Sequence, residues 1–261
     1  MKRYRTYLFY SLLTVLFLVG CGEDGPAGPA GPAGGSGNPQ PIKLLLLGAE
    51  GSEPRLENMA LEVIASGVLP IGSEVHYIQA TDSVPPLSVL NQYDAVLVWS
   101  NSAFSDSTAT GDVLANYVDA GGGVVISTYS FKTDVPDAHL AGRIMTQGYS
   151  PFANVSVETP HSGILDVNSL DVPLHPIFNG TDVHNFNYWW NSNYSNPPLR
   201  SGADLLATDT IGNNLIAINA NENVIGITIF PPRHFEDPAY LNVRQLYGNA
   251  CLVVADAVPS P

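Results

Sequence analysis

The stretch that decides the fold class is YDAVLVWSNSAFSDSTATGDVLANYVDAGGGVVISTYSF, residues 93–131. Residues 94–100 and 124–128 are apolar runs of strand length, and between them apolar residues recur at the spacing of one helix face. These helix-face residues are Val113, Leu114, Tyr117 and Val118. Glycines 121–123 end the predicted helix. A strand, a helix and a strand joined by short turns indicate a parallel sheet with helices on its faces.

The flanking sequence extends this unit in both directions. Residues 42–48 and 74–80 are further predicted strands, with a helical pattern between them. Near the end, residues 214–230 form a pair of predicted strands around a polar turn, and a helix is predicted over roughly 238–257. The sequence therefore predicts an α/β fold of the flavodoxin-like type. Its mostly parallel central sheet is flanked by helices and completed by a late β-hairpin.

The first residues have the pattern of an export signal. Three basic residues within positions 2–5 precede an apolar run over 7–20, which is too short to span a bilayer as a helix. The run ends Leu-Val-Gly-Cys, which resembles the lipobox of bacterial lipoproteins. The resemblance implies that residues 1–20 are a removed signal peptide and that Cys21 is lipidated. The alternative is an ordinary signal peptide followed by a chance cysteine.

A low-complexity segment separates this cysteine from the predicted domain. Residues 21–40 contain three Gly-Pro-Ala triplets, far fewer than a collagen triple helix needs, so we expect a tether. The α/β domain is then expected over residues 41–258. The residue after Cys21 is Gly22, and not the aspartate linked to inner-membrane retention. We therefore expect a lipid-anchored protein of the cell envelope, at the outer membrane.

Composition excludes several classes of function. The chain has 10 Lys and Arg against 24 Asp and Glu, and three of the basic residues lie in the predicted signal, which leaves a formal charge of −17. Such a surface repels the phosphates of nucleic acid. The two cysteines, Cys21 and Cys251, leave no disulfide if the first carries lipid. Cys251 lies in the apolar pattern of the last predicted helix and is expected to be a small buried residue. No CxxC, HExxH or similar spacing is present, so no metal site and no cofactor are predicted.

Three motifs resemble the class I glutamine amidotransferase-like superfamily: YDAVLVWS, VLANYVDAGGGVVIST, and the late hairpin leading into IGITIFPP. The likeness is greatest to non-amidotransferase branches such as the trehalose-utilisation-type domains. In the glutaminases of this superfamily, a cysteine stands on the sharp turn after the strand that is 124–128 here. This chain has STYSF at 127–131 and no cysteine. The resemblance therefore implies the fold without glutaminase activity.

A catalytic alternative remains open at the sequence level. The superfamily's His-x-Glu motif corresponds to His234 and Glu236, displaced by several residues along the chain. His234 follows Pro231-Pro232-Arg233, which indicates a loop at the carboxyl edge of the sheet. Ser127 or Ser130 would then be the nucleophile and His234 the base, oriented by Glu236 or Glu50. No G-x-S-x-G surrounds either serine, and serines at strand ends commonly cap the next segment.

The expected ligand cleft lies outside the carboxyl ends of the strands, as in other open α/β sheets. Its expected lining is Glu50, Ser100, Asn101, Ser127, Tyr129, Phe131 and His234.

A second candidate site lies in an aromatic segment. Within residues 182–198, Tyr188, Trp189 and Trp190 stand among asparagines, a combination that suits sugars, although a long loop held to the core by its aromatics has the same composition. Two function hypotheses follow. One is a non-catalytic binding module for a carbohydrate or an envelope protein. The other is a carbohydrate-related or ester hydrolase that uses His234 with Ser127 or Glu50.

Overall fold

The computed structural model describes residues 39–156, 158–159, 163–166, 169–170, 175–183, 187–190, 194–209 and 212–256. Residues 1–38 lie outside the described residues, and with them the predicted signal peptide, Cys21 and most of the predicted tether. Among the helices that are described, none combines the length and the apolar character that a lipid bilayer requires of a spanning segment.

The first half of the domain alternates strands and helices, as its apolar periods predict. Its elements are β1 Lys43–Ala49, α1 Glu53–Ala65, β2 Glu74–Gln79, α2 Leu87–Leu90, β3 Ala95–Ser100, α3 Ser107–Asp119 and β4 Gly123–Ser127.

The second half has shorter strands and ends in a long helix. Its strands are β5 Glu158–Thr159, β6 Gly163–Asp166, β7 Ser169–Leu170, β8 Asn187–Trp190, β9 Tyr194–Ser195, β10 Asp204–Thr208, β11 Asn214–Ile218 and β12 Val224–Ile227. The helices α4 Pro231–Glu236 and α5 Leu241–Asp256 follow, and 3-10 turns span Arg143–Met145, Pro176–Phe178 and Pro238–Tyr240.

The central sheet has eight strands in the order β2-β1-β3-β4-β12-β11-β10-β7. The pairings from β2 to β12 are parallel, and the pairings from β12 to β7 are antiparallel. The predicted mostly parallel sheet and late hairpin are therefore confirmed. The strands β10 and β7 are additions that the sequence did not indicate, and they extend the antiparallel side beyond the hairpin.

Both faces of the parallel half are covered by helices. Leu44 and Leu46 of β1 belong to the core beneath α1 and α5, whereas Leu45 and Leu47 belong to the core beneath α3. All four side chains are at most 2% exposed. Burial on both faces explains why β1 is a continuous apolar run and lacks the alternation of a strand with one wet face.

Helix α3 lies in direct backbone contact with the segment that follows β4. Its start is capped by Asp106, whose carboxylate accepts a hydrogen bond from the Ala109 N–H at 2.8 Å. At Gly111, a Cβ atom would lie 1.7 Å from the carbonyl oxygen of Ala141. Only a glycine at this position lets the two backbones approach so closely.

The first strand and the last described helix place both ends of the described domain at the same edge of the sheet. The chain enters β1 at Lys43, where the Ile42 N–H donates to Ser73 Oγ at 3.1 Å. At the other end of the chain, Val254 of α5 lies against Gly123, the first residue of β4. Because β1 and β4 are parallel within the sheet, the start of β1 and the end of α5 both lie at its amino edge, and the turn after β4 lies at the opposite, carboxyl edge.

Cys251 is buried in α5, as predicted for a small core residue, and burial raises the pKa of its thiol to about 12. The folded pKa exceeds the unfolded one of about 9, so the contribution of the neutral thiol to stability is complete below about pH 9. We expect this contribution to be lost as the pH rises from 9 toward 12. Urea unfolding across that range should show a smaller alkaline loss of stability in Cys251→Ala, with the buried tyrosines accounting for the remainder.

Candidate functional site

Three strand ends meet at the carboxyl edge of the parallel half. The N–H groups of Asn101 and Ser102, just after β3, both donate to the carbonyl of Ala49 at the end of β1, at 2.8 Å each. The N–H of Tyr129, just after β4, donates to the carbonyl of Ser100 at 2.9 Å. These backbone bonds fix the three connections relative to one another, and they form the base of the candidate site.

Glu50 is the buried acid of this site, with 1% of its surface exposed. Its carboxylate accepts hydrogen bonds from Trp99 Nε1 at 3.0 Å and from Asn101 Nδ2 at 3.1 Å. Arg55 Nη1 lies 3.5 Å from the same Oε2 atom that Asn101 contacts. A carboxylate is tolerated at this depth because donors and a cation surround it. The sequence placed Glu50 at this edge correctly but did not identify its partners.

Arg55 joins Glu50 to a second acid, Glu236 of α4. Its Nε and Nη2 atoms bind the Glu236 carboxylate at 2.5 and 3.1 Å. Burial alone would lower the pKa of Arg55, but its hydrogen bond to Glu236 and the charge of Glu50 outweigh the effect of burial and raise the pKa. Glu236 is thus engaged by Arg55, which argues against the proposed role of orienting His234. We call this chain of contacts the Glu50–Arg55–Glu236 bridge.

An aromatic pair lies beside the bridge. The Arg55 guanidinium lies 5.4 Å from the ring centroid of Phe230, and the Phe230 ring packs on Tyr129 with centroids 5.2 Å apart. Lys132 Nζ lies 5.9 Å from the ring centroid of Tyr129 and pairs with the carboxylate of Asp134 at 3.2 Å. Both aromatic rings belong to half-buried residues, so this edge presents partly exposed ring surface next to charged groups.

Ser127 does not border this surface, which corrects the expectation that it lines the cleft. Its Oγ lies 2.6 Å from the carbonyl oxygen of Ile229 and 2.7 Å from the hydroxyl of Tyr247 in α5. The Tyr247 hydroxyl donates to the same carbonyl at 2.5 Å, and burial raises the pKa of Tyr247. The Ser127 side chain therefore points inward to α5, where it ties β4 to the segment after β12.

Three other hydroxyl groups near the turn are buried without partners in the described part of the chain. They are Ser100 Oγ, Thr128 Oγ1 and Ser130 Oγ. The expected cleft residue Phe131 is also fully buried and packs edge-on against Phe152, with centroids 5.6 Å apart. Ser100, Ser130 and Phe131 thus form the floor beneath the turn, and the exposed or half-buried members of the expected lining are Asn101 and Tyr129.

His234 lies in α4 and is fully buried, whereas the sequence indicated a loop. Its Nδ1 donates to the Phe230 carbonyl at 2.7 Å, and its ring packs edge-on against Tyr240. Within the described residues, neither Ser127 nor Ser130 forms a hydrogen bond with His234. The geometry of a nucleophile held by its base is therefore not present at this turn.

These different environments predict different effects of two serine substitutions. Ser127→Ala should lower the free energy of unfolding by about 1–2 kcal/mol, because it removes a buried, bonded hydroxyl. Ser130→Ala should change it by less than about 0.5 kcal/mol, because the hydroxyl it removes has no partner. Urea unfolding of both variants measures the difference. Equal losses in the two variants would contradict the assignment.

The aromatic segment has more regular backbone than the expected long loop. Tyr188, Trp189 and Trp190 belong to β8, which pairs antiparallel with β6, while β9 pairs with β5. By Cα distance, β8 lies next to α4 and α5. The expectation of a loop is corrected, and the contact of these residues with sugar stays a prediction.

Solved structures share this backbone. A ThuA-like protein from Bacteroides uniformis matches with a TM-score of 0.53 and 16% identity, over 85% of this chain and 93% of its own. A cytoplasmic protein from Salmonella typhimurium matches with a TM-score of 0.53 and 16% identity, over 78% and 98%. A GMP synthase-like protein from Thermoplasma acidophilum matches with 0.51 and 10%, over 83% and 96%.

The domain has the class I glutamine amidotransferase-like fold. The sequence itself matches no protein-family model and no curated protein. At these identities the likeness concerns the fold alone.

Sequence reasoning missed Arg55, the residue that joins the two acids. A signal was present, because the chain has only seven basic residues after the predicted signal and one of them follows Glu50 by five positions. Phe230 and Tyr247 were missed as site and support residues, since their roles depend on contacts with distant parts of the chain.

Proposed function

We propose that the domain is a non-catalytic binding module whose ligand site is the carboxyl edge of the parallel half. The observation that carries this proposal is the state of the turn after β4. It has no cysteine, its first serine is bonded to Ile229 and Tyr247, and neither serine forms a hydrogen bond with His234 in the described part of the chain. By contrast, the groups that can bind a ligand at this edge are held in place before any ligand arrives.

The chemistry of this edge supports a carbohydrate as the ligand. Asn101 offers an exposed amide, fixed by its hydrogen bond to the buried carboxylate of Glu50, that can bind hydroxyl groups, and the half-buried rings of Tyr129 and Phe230 offer faces for C–H groups. The aromatic strand β8 lies next to α4, which carries Glu236 of the bridge. Tyr188, Trp189 and Trp190 are therefore proposed to extend the same sugar-binding surface.

A glycan panel titrated against the full-length protein by calorimetry tests this proposal. Asn101→Ala should weaken binding of a hit by about tenfold or more, the usual scale for losing a polar contact to the ligand. Glu50→Gln should also weaken binding, because the Glu50 carboxylate holds the Asn101 amide in place. Asn221→Ala, an exposed change in the turn between β11 and β12, is the matched control and should bind as the parent does. If Glu50→Gln and Asn101→Ala leave the affinity as unchanged as the control does, the ligand binds at another surface of the protein.

A hydrolase is the second candidate, and the orientation of His234 favours it. Since the Phe230 carbonyl can only accept, Nδ1 carries a proton and Nε2 is the acceptor nitrogen of the neutral ring. His234 would then act as a base with Glu50 or Ser127. Glycoside and ester substrates should give no turnover if the binding module is right. Turnover that is abolished by His234→Ala and by Glu50→Gln or Ser127→Ala would establish the hydrolase instead.

The location of the protein in the cell envelope is a further part of the proposal. We propose that Cys21 is lipidated and that the domain is held at the outer membrane by a tether over residues 21–40. The basic start, the short apolar run and the Leu-Val-Gly-Cys ending support it. Carbohydrate or another envelope protein is the expected partner in this location, and nucleic acid is not.

Counting thiols tests the lipid anchor, because the chain has only two cysteines. Native protein isolated from membranes should react with no thiol reagent at pH 8, since Cys251 is buried and its pKa is raised. After unfolding, one thiol should react if Cys21 is lipidated. Two reactive thiols after unfolding would show that Cys21 is free. Cys21→Ser should also lose incorporation of a labelled fatty acid.

A further inference from the structure

The outermost strand on the parallel side of the sheet is β2, which has a neighbour on one side only among the described strands. A groove of about 480 Å³ follows its open side. Helix α1 contributes Glu57, Leu61 and Ile64 to this groove, β2 contributes Val75 and Tyr77, and Tyr93 closes it from the other face. The groove therefore lies where the next strand of the sheet would lie.

The backbone of β2 leaves hydrogen-bonding groups on this open side. The N–H of Glu74 donates to Ile42 and that of Ala80 donates to Gly48, so the even-numbered residues of β2 face β1. Because backbone groups alternate along a strand, the N–H and C=O groups of Val75 and Tyr77 face the groove. Within the described residues, neither N–H donates to a backbone carbonyl outside the ladder with β1. These groups form a template for an added strand.

The face of α1 that borders the groove is apolar and exposed to solvent. Leu61 is 60% exposed and Ile64 is 52% exposed, and their spacing of three places them on the same face of α1. Val75 is buried at the base of the groove. Large apolar side chains that share one exposed face next to an open strand edge mark a protein-interaction surface.

The charge around the groove is negative. Burial and then the charges of Glu57 and Glu53 raise the pKa of Tyr77, and burial and then the charge of Glu74 raise the pKa of Tyr93. The cation at the groove's end is Lys43, whose Nζ lies 3.7 Å from Glu74, while His76 lies 4.0 Å from the same carboxylate. The whole chain has a formal charge of −14. A second copy would therefore bring acid to acid, whereas a basic partner is attracted.

We infer that an extended segment of another protein, with alternating apolar residues and Lys or Arg, adds to the sheet as a strand beside β2. Its backbone would bond to Val75 and Tyr77, and its apolar residues would pack on Leu61 and Ile64. Because side chains alternate along a strand, its cations would point to the opposite face, on the side of Glu74, and the charge of Glu57 would add to the attraction. This surface differs from the carboxyl-edge site, so the inference does not depend on the proposed carbohydrate ligand.

Hydrogen exchange with synthetic peptides tests the inference on the full-length protein in detergent solution. The probe is a peptide of roughly nine residues that alternates valine and lysine, long enough for a typical strand. It should slow exchange of the Val75 and Tyr77 amides, because strand addition bonds those N–H groups. The same peptide with glutamate in place of lysine, or with a central proline, should protect them much less. Equal protection by the glutamate peptide, or none by the lysine peptide, would overturn the inference.

Substitutions on α1 locate the peptide. Ile64→Lys and Glu57→Lys should each weaken binding of the valine–lysine peptide by about tenfold, since each places a cation against a cationic peptide. Leu241→Lys, at a 57% exposed position of α5, is the matched control and should bind as the parent does. If β2 becomes protected as protein concentration rises without peptide, the groove pairs with a second copy, and the inference of a basic partner is wrong.

Discussion

Gly111→Ala should lower the free energy of unfolding by about 3 kcal/mol or more, at the upper end of what overpacking costs. In an ordinary helix the same change stabilises by about 0.5–1 kcal/mol, so the expected sign is reversed here. The cause is the backbone of Ala141, whose carbonyl oxygen and carbon would lie 1.7 and 2.8 Å from the new Cβ. Backbone atoms cannot rotate away as a side chain can, so either α3 or the segment after β4 must shift.

A matched control separates this contact from the general effect of replacing glycine. Gly67 follows α1 with a φ of +68°, and its surroundings are open. Gly67→Ala should therefore cost only about 1 kcal/mol, the strain of a left-handed alanine. Urea unfolding gives both values. A neutral or stabilising effect of Gly111→Ala would show that α3 and Ala141 do not touch in this way.

Arg244→Ala should cost about 3–4 kcal/mol, because it leaves buried acceptors without donors. Arg244 is 5% exposed, and its guanidinium donates to the carbonyls of His234 at 3.0 Å and Phe235 at 2.8 Å. A further contact of 3.3 Å reaches Glu62 of α1. These bonds complete the end of α4, a helix too short to be stable by itself.

Arg143→Ala provides the comparison for this substitution. Arg143 pairs with Asp119 and Tyr149, but its side chain is 46% exposed, so water screens these contacts and their loss should cost only a small part of the Arg244 effect. Thermal or urea unfolding of the two variants tests the contrast. Arg244→Lys should recover little of the loss, because a single ammonium cannot reproduce the planar fork that reaches two carbonyls. Similar costs at positions 143 and 244 would contradict the role given to α4.

The elements that the sequence predicts well are those whose signal is a pattern of apolar residues within a short stretch of the chain. The strand β1 contains a run of four leucines. The helix α5 buries the residues that its apolar period predicts, namely Val243, Leu246, Tyr247, Ala250 and Val254. The hairpin of β11 and β12 was visible because two apolar runs flank a short polar turn. In each case the pattern of a few consecutive residues contains the whole signal.

The features that the sequence did not indicate have two causes. Some depend on residues that are compatible with two local structures, and others depend on contacts between residues far apart in the chain. The Pro231-Pro232 pair indicated a loop, yet prolines are also tolerated in the first turn of a helix, and α4 begins at Pro231. The Ser127–Tyr247 contact joins residues 120 positions apart, and the Arg55–Glu236 contact joins residues 181 apart. No period or spacing connects such pairs, so the inward direction of Ser127 became visible only in the fold.

The location of Lys43 at the amino edge of the sheet has a practical consequence for measuring ligand binding on a sensor surface. The part of the chain after the predicted signal has two lysines, and their exposures differ: the Lys43 side chain is 55% exposed and that of Lys132 is 11% exposed. Standard amine coupling to lysine should therefore attach the domain mainly through Lys43, the first residue of β1. Molecules coupled through Lys43 would then share one orientation, with Asn101 and the half-buried ring of Tyr129 at the edge that faces the flowing solution.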